Sequence, residues 1–226
     1  MAHDRTAVVT GASRGLGLAL TGALARRGWR VIADARDGDR LERALAGVSG
    51  VTAVAGDVAD PGHRTTLAEA APDGVDLLVN NASALGPSPQ PPLADYPLAA
   101  LERVYAIDTI APLALIQLLL PGLRRRRGRI IDISSDAAVE PYAGWGGYGS
   151  AKAALDQLTA VLAAEEPDVR VYACDPGDMN TDLQQQAFPG EDVSGRPAPQ
   201  TVVPALLRLA EGDLPSGRYV ARDILP

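Results

Sequence analysis

The feature that most limits the fold of this chain is an alternation of two hydrophobic patterns along its length. Short apolar and β-branched runs, typical of buried strands, are separated by segments in which apolar residues recur at helical spacing. Strands that are apolar on both faces and separated by helices predict a parallel sheet covered on both sides. Right-handed crossovers make such a sheet doubly wound. Strands are predicted at 6–10, 31–33, 51–55, 75–79, 129–133, 169–174 and 218–220, and helices at 16–27, 40–46, 61–71, 98–123, 148–165 and 202–211.

The predicted architecture is therefore an α/β Rossmann fold, a mostly parallel sheet of about seven strands with helices on both faces. The length of 226 residues suits one such domain, and no shift in composition marks a boundary, so we expect a single domain over 1–226. The segments 85–97 and 182–199 lack apolar periodicity and follow strands at the ligand-binding edge. They are predicted to be substrate loops, with inert surface loops as the alternative.

Composition excludes several classes of function. Hydrophobic residues make up 46% of the chain, which excludes a disordered protein, and the net charge of −7 argues against nucleic acid or an anionic membrane as a partner. The single cysteine, Cys174, excludes an internal disulfide and a multi-cysteine metal site. His3 and His63 are too few for a zinc site or a Ser-His-Asp triad, so no metal is expected.

The first residues of the sequence predict a chain that is not exported. Its first residues include Asp4 and no apolar run of signal-peptide length. The longest apolar stretch, 106–120, contains Asp108, Pro112 and Gln117, and we expect it to be too short and too interrupted to span a bilayer. These observations predict a soluble cytoplasmic protein that does not act at a membrane.

A glycine-rich turn follows the first predicted strand and opens the first predicted helix. It reads Thr10-Gly11-Ala12-Ser13-Arg14-Gly15-Leu16-Gly17. Glycines at such a turn let backbone N–H groups approach a pyrophosphate at the N-terminus of a helix. The spacing is G-x-x-x-G-x-G, and by itself it is also compatible with a plain tight connection between a strand and a helix.

Tyr148 and Lys152 lie four residues apart near the start of a predicted helix, so both side chains point to one face. An ammonium group beside a phenol favours the phenolate, which lowers the pKa of the tyrosine and suits it to acid–base chemistry near neutral pH. The hydroxyl of Ser135 is a candidate to polarise a substrate carbonyl oxygen. By spacing alone, an ordinary surface pair of Tyr148 and Lys152 is the alternative.

Taken together, the motifs resemble the short-chain dehydrogenase/reductase family over residues 5–221. The resemblance rests on an ordered set that spans nearly the whole chain. The set comprises the turn at 10–17, Asp57-Val58, Asn80-Asn81-Ala82-Ser83, Ser135 thirteen residues before Tyr148, the Tyr148-x-x-x-Lys152 pair, and Asp175-Pro176-Gly177 followed by Thr181.

This resemblance implies an oxidoreductase that uses NAD(P) and acts on a small-molecule carbonyl or alcohol. It implies that Tyr148 donates a proton to the carbonyl oxygen, that Ser135 holds this oxygen, and that Lys152 lowers the pKa of Tyr148 and binds the nicotinamide ribose. Asp108 takes the position of the fourth catalytic residue. The implied cofactor-binding residues are Gly11, Ser13, Arg14, Gly15, Leu16, Gly17, Arg36, Asp57, Val58, Asn81, Ala82, Tyr148, Lys152, Pro176, Gly177, Met179 and Thr181.

The end of the second strand favours NADP over NAD. Relatives that use NAD carry an acidic residue there, and counting from Gly28 places Ala35 at this position, followed by Arg36. We therefore expect Arg36, with Arg14, to bind a 2′-phosphate. In the alternative, Arg36 is a solvated charge and a neighbouring acid, Asp34 or Asp37, binds the ribose.

Two residues depart from the family pattern. Ser83 stands where the family has glycine, and Asp108 stands where it has asparagine. In the family, the carbonyl of that asparagine holds a water in a proton relay. Four residues after Asp108, Pro112 has no N–H to occupy this carbonyl, so we expect the relay to survive the change.

The predicted function is hydride transfer between NADP(H) and a ketone or secondary alcohol. The departures leave two alternatives open: a non-redox isomerase, dehydratase or cyclase that reuses the pocket, and a catalytically silent NADP(H)-binding protein. Family resemblance also implies a homodimer or homotetramer formed through the two long helices, whose apolar faces allow it.

Overall fold

A computed structural model describes residues 5–225. Within these residues seven strands form one sheet with the order β3-β2-β1-β4-β5-β6-β7, and every neighbouring pair is parallel. The strands are β1 (Thr6–Val9), β2 (Arg30–Ala35), β3 (Val51–Ala55), β4 (Leu77–Asn80), β5 (Arg129–Ile133), β6 (Arg170–Asp175) and β7 (Gly217–Val220). The predicted doubly wound α/β fold is confirmed.

Helices cover both faces of this sheet. In the described residues they are α1 (Gly15–Arg26), α2 (Gly38–Leu45), α3 (Pro61–Glu69), α4 (Leu98–Tyr105), α5 (Ala111–Arg126), α6 (Gly146–Glu165), α7 (Asp182–Ala187) and α8 (Val203–Glu211). On one face, Leu20 and Leu24 of α1 pack with Leu206 of α8 in a core that includes alternate residues of the central strands. On the other face, α3 and α5 contribute Leu67 and Leu119 to a second core.

The site is positioned by the point at which the strand order reverses. β1 pairs with β2 on one side and with β4 on the other, so the chain leaves the carboxyl ends of β1 and β4 in opposite directions. Such a reversal opens a crevice at the carboxyl edge of a parallel sheet, where ligands bind. The glycine turn after β1 therefore lies at the centre of this crevice.

One predicted helix, 98–123, is divided in the structure. A π-helical turn, Ala106–Ile110, separates α4 from α5, and the N–H of Ala111 donates to the carbonyl of Ala106. Pro112 lies in the first turn of α5 and has no N–H to continue the ladder from the preceding turn. The wider π turn accommodates the lack of an N–H at Pro112. Asp108 lies in this turn.

The prediction that 182–199 lacks a regular element is wrong for its first part. Residues Asp182–Ala187 form the short helix α7. Thr181 caps it by accepting a hydrogen bond from the N–H of Gln184 at 3.2 Å, and Asp182 lies in the first turn, where a negative charge is favourable. The prediction looked for apolar residues at helical spacing, which this segment lacks. The helix begins instead at the Thr181 cap.

The expectation that the apolar stretch is too short for a membrane span is also wrong on length. The continuous helical stretch Leu98–Arg126 has 29 residues and meets the length and composition of a span. However, 56% of its apolar window is buried inside the protein, and Leu115, Leu119 and Leu123 belong to the core under the sheet. Packing therefore accounts for its apolar character.

Gly17 and Gly22 of α1 give a matched test of packing at the glycine turn. A Cβ at Gly17 would lie 2.4 Å from the carbonyl oxygen of Gly11 and 2.5 Å from Nδ2 of Asn81, whereas one at Gly22 would meet only the flexible end of Arg26 at 3.2 Å. Gly17→Ala should lower the free energy of unfolding by about 1–3 kcal/mol through overpacking. Gly22→Ala should raise it by about 0.5–1 kcal/mol through helix propensity.

Urea unfolding followed by circular dichroism measures both changes. Equal effects of the two substitutions would contradict the close packing of Gly17.

Candidate active site

The carboxyl ends of the central strands open into a cavity of about 530 Å³. Its walls come from the glycine turn, the ends of several strands and the first turns of α6. The sequence-predicted residues that line it are Gly11, Ser13, Arg14, Gly15, Leu16, Arg36, Asp57, Val58, Asn81, Ala82, Ser135, Tyr148, Lys152, Pro176, Gly177, Met179 and Thr181. One cavity thus joins the candidate cofactor residues to the candidate catalytic residues.

The glycine turn is held closely against the end of β4. Gly11 has a φ of +67°, and a Cβ there would lie 2.9 Å from the Cα of Ala82. Asn81 ties the two segments together, since its Nδ2 donates to the carbonyl of Thr10 at 2.8 Å. Gly15, with a φ of +55°, faces the side chain of Thr181. The backbone of the turn is therefore exposed to the cavity at the N-terminus of α1, a geometry that suits a diphosphate.

Two predicted site residues lie behind the cavity wall instead of lining it. Gly17, predicted to bind cofactor, packs against the Gly11 carbonyl and the side chain of Asn81, so it supports the turn from below. Asp108, predicted to be catalytic, is fully buried in the π turn, where its Oδ1 accepts the N–H of Ala84 at 2.8 Å.

Tyr148 and Lys152 lie one helical turn apart at the start of α6, and both side chains are buried. The Lys152 Nζ atom lies 5.5 Å from the centre of the Tyr148 ring and donates to the carbonyl oxygen of Ile133 at 2.8 Å. Ser135 Oγ donates to the Asp136 carboxylate at 2.9 Å and accepts the N–H of Ala137 at 3.1 Å. Burial and the bond to β5 exclude the alternative of a surface Tyr–Lys pair.

The prediction that Lys152 brings the pKa of Tyr148 below its ordinary value is not met in this structure. Burial raises the pKa of Tyr148, and this effect outweighs the opposing effect of the Lys152 ammonium. The Asp108 carboxylate raises the pKa of Tyr148 further, because like charges disfavour the phenolate. The raised pKa keeps Tyr148 in its protonated form.

Two buried carboxyls face Lys152. Burial raises the pKa of Asp108 to about 6, and the Lys152 ammonium only partly opposes this shift. Burial likewise raises the pKa of Asp132 to about 6, although Asn80 and Thr159 each donate to it at 2.7 Å. Burial alone would lower the pKa of Lys152, but Tyr148 and these two carboxyls raise it, so the ammonium form persists in a buried position.

The far end of the cavity is rich in arginine. Arg36, after β2, is exposed and lines the cavity, as do Arg14 of the turn and Arg40 of α2. Arg14 and Arg40 both pair with Asp182, whose pKa is lowered despite the opposing effect of its partial burial. This end of the cavity therefore carries three guanidinium groups, two of which are paired with the Asp182 carboxylate.

The two acids proposed as alternative ribose ligands, Asp34 and Asp37, already have hydrogen-bond partners within the protein. Asp34 is buried, and its Oδ1 lies 2.6 Å from Nε2 of His63. Asp37 caps α2 by accepting the N–H of Arg40 at 2.9 Å. The alternative in which Asp34 or Asp37 binds a ribose therefore requires one of these contacts to break.

An aromatic cluster borders the cavity beside Tyr148. The ring of Trp145 lies 5.9 Å from that of Tyr148 and 5.9 Å from that of Phe188. The segments 85–97 and 182–199 meet here, since Ser88 Oγ donates to the carbonyl of Gln186 at 2.7 Å. The two segments predicted as substrate loops thus contact each other next to the reactive end.

Sequence reasoning missed several residues of this site. Arg40 and Asp182 line the cavity, but neither belongs to a motif. His63 supports Asp34 from α3, and a Cβ at Gly56 would lie 2.1 Å from its ring, so His63 needs that glycine. For Arg40, on α2, the one signal in the sequence was the acid-rich segment 34–39, in which Asp37 can cap the helix. His3 lies outside the described residues.

The family model for short chain dehydrogenases matches residues 5–192 of this chain. The chain belongs to the short-chain dehydrogenase family. Serine 3-dehydrogenase of Rhizobium radiobacter is 36% identical over 187 residues, which cover 79% of this chain and 73% of that protein. Sepiapterin reductase of Mus musculus is 36% identical over 202 residues, which cover 80% of this chain and 76% of that protein.

A solved short chain dehydrogenase from Escherichia coli CFT073, complexed with NADPH, is similar in fold. It has a TM-score of 0.88 and 27% identity over 97% of each chain. The resemblance drawn from the motifs is thus confirmed at the level of the short-chain dehydrogenase family, an oxidoreductase family that uses a nicotinamide dinucleotide.

The buried carboxyl of Asp108 predicts a specific pH dependence of stability. Its pKa of about 6 in the folded protein exceeds its ordinary value of 3.8, so the folded state binds this proton more tightly. The resulting stabilisation is complete below pH 3.8 and is lost as the pH rises through 6. Relative to Asp108→Asn, the wild type should lose up to about 3 kcal/mol of unfolding free energy across this window.

Urea unfolding of both proteins at a series of pH values measures this difference, with the exposed Asp95→Asn as a matched control. Parallel curves for the wild type and Asp108→Asn would show that Asp108 has an ordinary pKa.

Proposed function

We propose that this short-chain dehydrogenase transfers a hydride between NADP(H) and a ketone or secondary alcohol. The observation that carries the proposal is the convergence of Ser135, Tyr148 and Lys152 at one end of a cavity whose other end is the glycine turn. This arrangement suits a dinucleotide that extends from the turn to the tyrosine.

The residues of the cavity fit such a cofactor. The turn from Gly11 to Gly15 lines the cavity at the N-terminus of α1, and the absence of side chains on its glycines exposes the backbone, which suits a diphosphate. Asp57 and Val58 border the region proposed for the adenine, and Pro176 to Thr181 border the region proposed for the nicotinamide. When bound, a nicotinamide dinucleotide supplies or accepts the hydride.

The chain itself handles the proton and the orientation of the substrate. Tyr148 is the proposed acid, because its hydroxyl is held protonated and reaches the cavity. Ser135 is proposed to turn its hydroxyl from Asp136 to the substrate oxygen and to stabilise the negative charge that develops there. Lys152, fixed by the Ile133 carbonyl, stabilises the phenolate that remains after proton transfer.

A preference for NADP is proposed from the charges at the far end of the cavity. Arg36 is exposed and lines the cavity, where it is proposed to bind a 2′-phosphate, and Arg14 and Arg40 line the same end while paired with Asp182. Asp34 is engaged by His63 and Asp37 caps α2, so either acid would have to give up its present contact to hold a free ribose. Arginine is well suited to phosphate because its fork of donors binds two oxygens.

We further propose that the chain is one domain whose segments 85–97 and 182–199 shape the substrate pocket. The aromatic wall formed by Trp145 and Phe188 favours a substrate with an apolar or planar body next to its carbonyl. A homodimer or homotetramer is proposed through α5 and α6, since the large apolar side chains of Leu118 and Val161 are exposed on them.

Tyr148→Phe tests the proposed acid directly. The substitution keeps the ring and removes only the hydroxyl, so reductase activity should fall by about 10²-fold or more while NADPH affinity changes by only a few-fold. Loss of NADPH absorbance with a panel of ketones gives the activity, and NADPH fluorescence gives the affinity. Tyr219→Phe is the matched control, because the hydroxyl of Tyr219 bonds the carbonyl of Pro215 on another edge of the sheet.

If Tyr148→Phe keeps most of its kcat, the assignment of the acid fails. A wild type that binds NADPH but consumes none with any ketone would favour an isomerase, dehydratase, cyclase or silent binding protein.

Arg36→Ala tests the choice of cofactor. The wild type should bind NADPH more tightly than NADH, and the substitution should weaken NADPH binding about tenfold or more while NADH binding changes little. Arg43→Ala, on the exposed surface of α2, is the matched control and should affect neither. Dissociation constants from fluorescence titration decide the question, and a wild type that prefers NADH overturns the assignment.

A further inference from the structure

One carboxylate oxygen binds two arginines at the far end of the cavity. Oδ2 of Asp182 accepts a hydrogen bond from Nη1 of Arg14 and another from Nη2 of Arg40, the latter at 3.1 Å. The three residues come from the glycine turn, from α2 and from the first turn of α7, so only the fold brings them together. Two guanidinium groups that converge on one anionic oxygen form an arrangement that also suits a phosphate oxygen.

This group of ion pairs is open to the cavity. Arg14, Arg40 and Asp182 all line it, and so does Arg36. The side chains of Asp182, Arg14 and Arg40 are 53%, 49% and 43% exposed, so a ligand in the cavity can reach them from solvent. Exposed ion pairs are weak because water screens them. A phosphate monoester carries close to two negative charges at neutral pH, and it is therefore a strong competitor for a single carboxylate.

The backbone that carries Asp182 is held in place on both sides. At the start of α7, the Thr181 hydroxyl accepts the N–H of Gln184 at 3.2 Å. Near its end, Ser88 Oγ donates to the carbonyl of Gln186 at 2.7 Å. The Asp182 carboxylate is thus presented to the arginines by an anchored helix. Its short side chain can turn away from them while the helix stays in place.

We propose that Asp182 is a specificity-determining residue for the cofactor, whose carboxylate occupies the position of a phosphate oxygen at Arg14 and Arg40 and competes with the 2′-phosphate of NADPH for both. The inference rests on the proposed use of NADP(H), and it adds a residue that opposes this use. Arg36 takes part in neither ion pair, so it remains to bind the phosphate while Asp182 holds the other two arginines.

The competition concerns only one of the two cofactors. NADH has a ribose hydroxyl in place of the 2′-phosphate, so Asp182 keeps both arginines when NADH binds. NADPH gains these arginines only when the carboxylate turns away. The Asp182 carboxylate therefore weakens the preference for NADPH that Arg36 creates, and its removal should strengthen that preference.

Asp182→Asn tests the competition. The amide keeps the size of the side chain and removes its charge, so the dissociation constant of NADPH should fall by about three- to tenfold, while that of NADH should change by less than about twofold. Adenosine 2′,5′-bisphosphate, compared with adenosine 5′-monophosphate, gives the same contrast without a nicotinamide. Cofactor fluorescence measures the affinity of the dinucleotides, and titration calorimetry measures that of the two adenosine phosphates.

Asp39→Asn is the matched control for the change in charge. Asp39 is exposed in the first turn of α2, next to Arg40, and takes no part in the two ion pairs. Its replacement should change neither dissociation constant by more than about twofold, because salt screens the field of an exposed charge. Asp182→Glu keeps the charge, so its NADPH affinity should lie closer to that of the wild type than to that of Asp182→Asn.

A thermodynamic cycle separates the competition from an effect on α7. A negative charge in the first turn stabilises a helix, so Asp182→Asn also weakens α7. In a protein that lacks both arginines, Arg14→Ala/Arg40→Ala, the substitution should change NADPH affinity by less than about twofold. An effect through the helix alone would be the same in both backgrounds. Thermal unfolding identifies the folded variants, and Arg40→Ala alone, in which the effect should be smaller than in the wild type, replaces the double variant if that does not fold.

Several results would overturn the proposal. Unchanged or weaker binding of NADPH by Asp182→Asn would show that the carboxylate does not compete with the phosphate. Equal tightening of NADPH and NADH would show that Asp182 does not discriminate between them, and so would an effect that persists without the arginines. A wild type that prefers NADH, or that reduces no ketone, would refute the proposed function instead. A gain in affinity for NADPH alone in Asp182→Asn would still establish the role of Asp182 in that case.

Discussion

The close contact between the glycine turn and the end of β4 is the constraint on which the rest of the site depends. Asn81 bonds the carbonyl of Thr10, and Gly11 and Gly17 leave no room for a Cβ between the two segments. This contact fixes the N-terminus of α1 at the point where the strand order reverses. The cavity that runs from there to Tyr148 exists because neighbouring parallel strands end at the same edge.

Around Tyr148, the energetic problem is the burial of charge. A buried ammonium needs counter-charges, and here Asp108 and Asp132 provide them. Because both carboxyls are buried as well, the pKa of each is raised to about 6. The arrangement stabilises Lys152, and at the Tyr148 phenol the Asp108 carboxylate opposes the effect of the cation. Burial, together with the charges of Lys152 and Asp108, therefore sets the pKa of Tyr148, and the Tyr–Lys spacing alone does not.

The sheet, the glycine turn and the Tyr148–Lys152 pair could all be predicted from the sequence, because each is encoded over a few consecutive residues. Gly15 and Thr181, by contrast, are far apart in sequence and meet only through the sheet. The pairing of Asp34 with His63 has no local signature either, since neither residue belongs to a motif of known spacing. Helix α7 escaped prediction because a cap, and not an apolar period, begins it.

What the sequence determined by itself was the family, the order of the elements and the chemical type of the site residues, since periodicity and short motifs are local properties of a chain. What only the tertiary structure decided was how these residues act on one another. Tyr148 is held protonated, and Asp108 and Gly17 lie behind the cavity wall. The physical reason is that burial and the distance between charges control ionisation, and both are set by contacts between residues that are remote in sequence.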